Sequence, residues 1–332
     1  MGEFDLIARY FKRPVRQAAL GVGDDCALLQ PAPGTQLAIS CDMLVQGRHF
    51  FADTDPRQLG HKSLAVNLSD LAACGAKPLA FTLALALPEV KEPWLAAFAQ
   101  GLFALADAHG CELIGGDTTA GPLNICITVF GEVPVVNGTS LALLRSGARA
   151  GDDLYVSGTL GDARLALDAM QGKLTVPDAV LAAARERLQR PTPRVALGLA
   201  LRGIASAAID VSDGLIGDLG HILESSRVGA TVLADQAVAC VAGHAHAAQS
   251  TDAAGLHLSQ EQWRSLALCG GDDYELLFTA PPSQRAAVAA AARASQTPVR
   301  CLGQIEAAAG LRLLDAQGQA LPNHYASFDH FA

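Results

Sequence analysis

The chain has 332 residues, half of them apolar, with 33 acidic against 24 basic residues and a net charge of −9. That length supplies two domains, each with its own core, and the composition suits an Ala/Leu-rich soluble α/β enzyme rather than a disordered or fibrous protein. No Lys/Arg cluster is dense enough to follow a phosphate backbone, and the longest apolar run, LAFTLALALP, is about half of a bilayer span, so nucleic acid and membrane are both excluded as expected partners.

In chain order, the opening MGEFDLIARYFKR carries Glu3 and Asp5 and lacks the apolar segment of a secretory signal, which points to the cytoplasm. GVGDDCALL then sets Asp24 and Asp25 in a glycine-punctuated turn, with the apolar run after them expected in the sheet that fixes the turn. TQLAISCDMLV reads as a strand. HKSLAVNLSDLAACGAKP reads as a helix from the spacing of Leu64, Leu68 and Leu71, stopping at Gly75 ahead of Pro78. LAFTLALALP is a strand, and EPWLAAFAQGLFALADAHG a helix between Pro93 and Gly110. CELIGGDTT reads as a strand running into a turn, and LNICITVFGEVP as another strand. Residues 137–150, rich in Gly, Ser and Asn, form the expected linker between an N-terminal domain at 1–136 and a C-terminal domain at 151–332.

Beyond the linker the pattern predicts a strand at LYVSG, a helix at LGDARLALDAMQG, helices near 178–190 and 194–203, and a strand at SAAID. A helix at GLIGDLGHILESS, strands at ATVLAD and YELLFTA, a helix near 284–294, and a closing strand pair at VRCLGQI and LRLLD follow. NLSDLAACG and DVSDGLIGD both look like Ser-Asp at a helix start. This alternation argues for α/β or α+β layers with mixed sheets. The eight cysteines have no metal-type spacing, and His109, His221, His244 and His246 have no ligand spacing either.

Six separate elements each deliver a carboxylate: Asp24 and Asp25, Asp42, Asp70, Asp117, Asp210 with Asp213, and Asp272 with Asp273. One Gly-Asp is ordinarily a turn or cap. The set is different, because most members follow strand-like runs, where α/β folds gather ligands. Converging carboxylates repel one another unless a cation joins them, and a hard divalent ion, Mg²⁺ above all, suits oxygen donors and substrate phosphates together. The chain has no Walker A sequence, no G-x-G-x-x-G opening a helix and no protein-kinase signatures, so any ATP is bound by a fold other than the P-loop.

Taken together, GEFDLIARYF, GVGDDCALL, GRHF, LAVNLSDLAACGAKP, LIGGDTT, RSGARAGDDLYVSGTLGD, RPTPR, AIDVSDGLIGDLGHI, GGDDYELLF and FDHF resemble the thiamine-monophosphate kinase family, from the superfamily of aminoimidazole ribonucleotide synthetase and selenophosphate synthetase. The resemblance runs nearly end to end. It implies a two-domain fold like that of aminoimidazole ribonucleotide synthetase and Mg²⁺-dependent transfer of the ATP γ-phosphate onto thiamine monophosphate. It also implies a homodimer formed through the N-terminal domain, with the C-terminal domain completing the ATP and substrate cleft.

By that resemblance Asp24, Asp25, Ser40, Asp42, Asp70, Asp117, Asp210 and Asp213 hold several Mg²⁺ ions, with Asp42, Asp210 and Asp213 serving the chemistry by positioning metal. Ser40, Cys41, Gly116, Asp117, Arg145 and Ser212 contact ATP, and His49, Asp272 and Phe328 the substrate. Cys41 stands where a hydroxyl residue is more usual, Asp272 where Glu is, and Phe328 where Trp or Tyr is. Another ATP-dependent synthetase of the superfamily and a non-catalytic nucleotide or thiamine-phosphate sensor are the alternatives.

Overall fold

The structure, a computed structural model, describes residues 2–249 and 256–326. The chain divides into two compact units, one of Met1–Leu71 and Ala76–Ala142, the other of Ala72–Gly75 and Leu143–Ala332. The division at Ala142–Leu143 falls inside 137–150.

The first unit opens with α1 (Glu3–Tyr10), β1 (Ala18–Leu20) and β2 (Leu28–Leu29). It continues through β3 (Thr35–Val45), α2 (Pro56–Ala73), β4 (Lys77–Leu87), α3 (Glu92–His109), β5 (Glu112–Ala120), β6 (Asn124–Val136) and β7 (Thr139–Ser140). Its main sheet has the order β3-β6-β4-β5, with β7 paired to β6, and is mixed: β4 and β5 run parallel, the other neighbours antiparallel. Along β6 burial alternates cleanly, Ile125, Ile127 and Val129 lying in the core while Cys126 and Thr128 turn the other way, the period-2 pattern of a sheet covered on one face.

Helix α3 buries Leu95, Phe98, Leu102 and Leu105 at helical spacing and ends at Gly110, whose φ of 59° only glycine adopts without strain. Two glycines let α2 and α3 touch backbone to backbone. A Cβ on Gly60 would stand 2.1 Å from the Phe98 carbonyl oxygen, and one on Gly101 1.8 Å from that of Arg57.

The second unit comprises β8 (Asp153–Ser157), α4 (Asp162–Met170), α5 (Asp178–Gln189), α6 (Val195–Ala200), β9 (Ala207–Val211), α7 (Leu215–Ser226) and β10 (Gly229–Leu233). Then come α8 (Ala234–Val238), α9 (Ala242–Gln249), α10 (Gln260–Cys269), β11 (Glu275–Ala280), α11 (Arg285–Ala294), β12 (Val299–Glu306), β13 (Gly310–Leu314) and β14 (Ala320–Leu321). The seven-stranded sheet runs β14-β13-β10-β12-β8-β11-β9 and is also mixed, with β10 and β13 parallel. Every residue of β8, β9 and β11 is buried, so none of the three shows the alternation of a half-exposed strand.

Four expectations change. Leu28 and Leu29 pair with β1 in a separate two-stranded sheet and do not join the main one. Gly115 to Ala120 continue β5 against β4 where a turn was read, because both glycines stay in register with Thr82 and Leu83. Ser69 and Asp70 lie in the last turns of α2, not at its start, whereas Ser212 and Asp213 do precede α7. Helices α8 to α10 were not foreseen, although Ser259 and Gln262 form a capping box at the head of α10. Among the described residues no helix is long and apolar enough to cross a membrane.

Gly101→Ala wedges a methyl group against α2 and lowers the stability of the first unit by about 1–3 kcal/mol or more, the usual cost of over-packing. A fall in the urea midpoint relative to wild type checks this, and an unchanged midpoint would mean that the two helices separate without cost.

Candidate active site

In the first unit the predicted residues gather around β3. By register Asp42 stands opposite Ile127, so Ser40 and Asp42 share the covered face of the sheet. The Ser40 hydroxyl donates to the Asp70 carboxylate at 2.5 Å, and the Asp42 N–H donates to Asn67 Oδ1 at 3.1 Å. Asn67 is itself buried and donates from Nδ2 to the Ser63 carbonyl. It is a site-supporting residue that the sequence reading missed, one helical turn before Asp70.

Cys41 points to the opposite, open face, where its sulfur lies 3.4 Å from that of Cys126. The side chain of Cys41 is thus separated from Ser40 and Asp42 although it sits between them. Gly116 continues the row of Asp42, Ile127 and Leu83 across the sheet, and a Cβ there would stand 1.9 Å from the Leu83 carbonyl oxygen. Asp117 follows it, exposed. Asp24 accepts the Asp25 N–H at 2.8 Å and so closes its own turn, leaving Asp25 exposed. In the turn after β3, His49 Nδ1 accepts the Val45 N–H at 3.0 Å, which makes Nε2 the protonated nitrogen of the neutral ring.

In the second unit Asp210 lies buried near the end of β9, and the turn from β9 to α7 carries Ser212 and Asp213. The carboxylate of Asp218 accepts the N–H groups of Ser212, Asp213 and Gly214 at 3.1, 3.2 and 3.2 Å. It shapes the turn from within the helix that follows. Burial first, and the Asp213 charge second, push the Asp218 carboxyl up to about 7. A loop from Gly270 to Tyr274 lies against this turn: the Asp272 N–H donates to the Ser212 carbonyl and the Tyr274 N–H to that of Val211, both at 2.8 Å. Asp272 and Tyr274 both have positive φ, 66° and 51°, a conformation costly for residues other than Gly. The Tyr274 hydroxyl donates to Asp272 Oδ1 at 3.1 Å. Asp210, Ser212, Asp213 and Asp272 are therefore brought to one end of β9. Arg145 lies in the same unit, exposed, with its carbonyl accepting the Ser226 hydroxyl. Phe328 lies outside the described residues.

Two buried carboxylates hold that loop. Both oxygens of Asp273, 1% exposed, accept the Gly161 N–H, and burial raises its carboxyl well above the ordinary range. Glu275, fully buried, accepts from Arg187 at 2.8 Å, from Arg194 at 2.6 and 2.5 Å, and from the Ser157 hydroxyl at 2.5 Å. Glu275→Ala would leave two largely buried guanidinium groups without their anion, a loss of about 3–5 kcal/mol. Chemical denaturation of the variant checks this, and a loss below about 1 kcal/mol would show that water replaces the carboxylate freely.

Among the described residues no three His, Cys, Asp or Glu side chains converge to hold an ion by themselves. The donors near β3 and β9 are carboxylate and hydroxyl oxygens, the hard set that Mg²⁺ takes. Mg²⁺ ordinarily uses one or two carboxylates and fills its remaining positions with water and substrate phosphate, so a closed protein cage is not required of such a site.

Two family models match the chain: AIR synthase related protein, N-terminal domain, over residues 23–133, and the corresponding C-terminal domain over residues 149–315. Thiamine-monophosphate kinase of Salmonella typhimurium is 48% identical over 337 residues, covering 100% of this chain and 98% of the relative. Among solved structures, thiamine-monophosphate kinase from Stenotrophomonas maltophilia K279a superposes with a TM-score of 0.81 at 46% identity, covering 96% of each chain. AaThiL complexed with AMPPCP and TMP does so with a TM-score of 0.72 at 26% identity, covering 91% of this chain and 89% of that one. These similarities extend over both units, and the chain belongs to the thiamine-monophosphate kinase family.

Proposed function

We propose that this chain transfers the γ-phosphate of ATP to the phosphate of thiamine monophosphate, giving thiamine diphosphate and ADP in the last step of thiamine diphosphate formation. The end-to-end similarity to thiamine-monophosphate kinases carries this reading. The oxygen donors described above support Mg²⁺ as the cation, held by Asp24, Asp25, Ser40, Asp42, Asp70, Asp117, Asp210 and Asp213. When bound, it would supply the positive charge that two anionic reactants need in order to approach.

The chain's own residues bind and orient. The turn at Ser212, whose N–H groups Asp218 takes up, presents the Ser212 hydroxyl at the head of α7, where a helix terminus favours phosphate. Arg145 offers a fork for phosphate oxygens, and the Gly116 backbone lies on the nucleotide side in this reading. On the acceptor side, His49 presents a protonated Nε2, Asp272 a fixed carboxylate, and Phe328 an aromatic ring for thiamine. The attacking oxygen belongs to a phosphate already ionised at neutral pH, so no strong general base is needed. Direct in-line transfer without a phospho-enzyme follows.

Two copies associate in this reading, which the exposed Leu37 and Ile39 of β3, 39% and 60% accessible, support. The cytoplasm is the compartment; among the described residues no disulfide joins any of the eight cysteines, as a reducing environment favours.

Purified protein with ATP and Mg²⁺ is expected to release ADP and form thiamine diphosphate with thiamine monophosphate, and not with thiamine, an aminoimidazole precursor or selenide. No turnover with thiamine monophosphate, under conditions where ATP binds, would overturn the reading. Asp210→Asn and Asp42→Asn are each expected to lower kcat by about 100-fold or more with an unchanged denaturation midpoint, since they remove charge where the reaction needs it and leave the packing in place. A near-normal kcat in either would show that its carboxylate holds no metal.

A further inference from the structure

Arg145 stands on a stretch of chain that belongs to no helix or strand, between β7 and β8. Such a stretch has no ladder of its own, so the direction of the Arg145 side chain depends on how the irregular backbone beneath it is fastened. Upstream, the Leu144 carbonyl accepts the Ala208 N–H of β9 at 2.8 Å. Downstream, the Arg149 N–H donates to Asp152 Oδ2 at 2.9 Å. Between those two points one side chain holds the loop. The Ser226 hydroxyl, at the last residue of α7, donates to the Arg145 carbonyl at 3.2 Å. It accepts the N–H groups of Gly147 and Ala148 at 3.1 and 3.2 Å. Among the described residues nothing else hydrogen-bonds the backbone of residues 145–148.

We infer that Ser226 is the positioning residue for Arg145, fixing the loop so that the guanidinium meets the phosphates of ATP. The inference rests on the phosphoryl-transfer reading, in which Arg145 contacts ATP.

Two simpler roles for Ser226 are set aside by the chemistry of a single hydroxyl. Serine in a helix often turns its O–H back to the carbonyl four residues earlier. A hydroxyl has one proton to donate and two lone pairs that accept. Here the proton goes to Arg145 and the lone pairs to Gly147 and Ala148, so nothing is left for α7. Nor does the hydroxyl end the helix. Arg227, at φ 56°, donates its N–H to the Glu224 carbonyl, and the Val228 N–H returns to that of Leu223, a termination made of backbone alone. Gly147 completes the fit. It has a φ of 118°, and a Cβ there would stand 2.4 Å from the Ser206 carbonyl oxygen, so the loop lies directly against the chain entering β9.

The test is calorimetric titration of the full-length protein with a non-hydrolysable ATP analogue and Mg²⁺, together with steady-state kinetics. The variants are Ser226→Ala, Ser226→Val, Ser226→Thr, Arg145→Ala and the double variant Ser226→Ala/Arg145→Ala. Ser226→Ala is expected to weaken analogue binding and raise KM for ATP by about 10-fold, the scale set by the net contribution of one hydrogen bond. KM for thiamine monophosphate should not change. Ser226→Thr keeps the hydroxyl and should restore binding, whereas Ser226→Val, its isostere without the hydroxyl, should match Ser226→Ala. The double variant should bind no more weakly than Arg145→Ala, because Ser226 acts through that side chain.

Losses that add in the double variant would overturn the inference, since a general structural role does not need Arg145 in place. Wild-type binding in Ser226→Ala or in Arg145→Ala would overturn it too, as would equal binding by the threonine and valine variants. Denaturation midpoints establish that each variant is folded when titrated. ADP release by the wild type with thiamine monophosphate reports on the phosphoryl-transfer reading separately. Normal turnover beside additive losses removes the role of Ser226 alone, and a wild type that binds no analogue removes both.

Discussion

A carboxylate sealed in the middle of a sheet organises the second unit. Glu275 begins β11, between β8 and β9, and has no exposure to solvent. It is tolerable there only because two guanidinium groups, a hydroxyl and a backbone N–H surround it. The partners arrive from three segments besides β11 itself: Ser157 and Thr159 from the end of β8, Arg187 from α5, and Arg194 from the turn before α6. A buried pair of this kind contributes less to stability than the same volume of well-packed apolar side chains. What it does supply is direction, since few other arrangements of these four segments would satisfy the charge. Gly158 fits the same constraint, because a Cβ there would collide with Glu275 Oε1 at 2.0 Å.

Asp273 extends this fixation outward. Between it and Glu275 the chain alternates, Asp273 and Glu275 turned inward, Asp272 and Tyr274 held at positive φ. The strain at those two residues is set against the hydrogen bonds that Asp272 and Tyr274 donate to Ser212 and Val211. Rigidity in the loop thus passes to the turn that carries Ser212 and Asp213, which Asp218 shapes from the other side. The first unit reaches a similar result with fewer charges: β3 is an edge strand, and the Ser40 to Asp70 and Asp42 to Asn67 hydrogen bonds attach its covered face to α2.

Much of this was legible in the sequence. Leu64, Leu68 and Leu71 gave α2 its register, and Pro93 with Gly110 bounded α3, because those signals are local. The same is true of Ser212 and Asp213 ahead of α7. Gly115 and Gly116 misled, since glycine at a turn and glycine in a strand needing close backbone approach look alike until the partner strand is known. Asn67, Arg187 and Arg194 carried no local sign of their roles. Each acts on a residue distant in sequence or on a face that the period of the helix alone does not single out. Cys41 was placed at ATP by resemblance, and strand alternation turns its side chain to the opposite face from Ser40 and Asp42.

That alternation has a chemical consequence. Successive strand residues belong to different environments, so Ser40 and Asp42 present hard oxygen toward α2 while Cys41 and Met43 present soft sulfur away from it. Hard oxygen donors gain nothing from an adjacent soft sulfur, which prefers ions of the opposite character. Placing the two donor classes on opposite faces of one strand separates them by the thickness of the sheet, without any residue between them in the sequence. A hydroxyl residue at position 41 would make both faces hard. With cysteine there, hydroxyl and carboxylate oxygens stay on the covered face and sulfur on the open one.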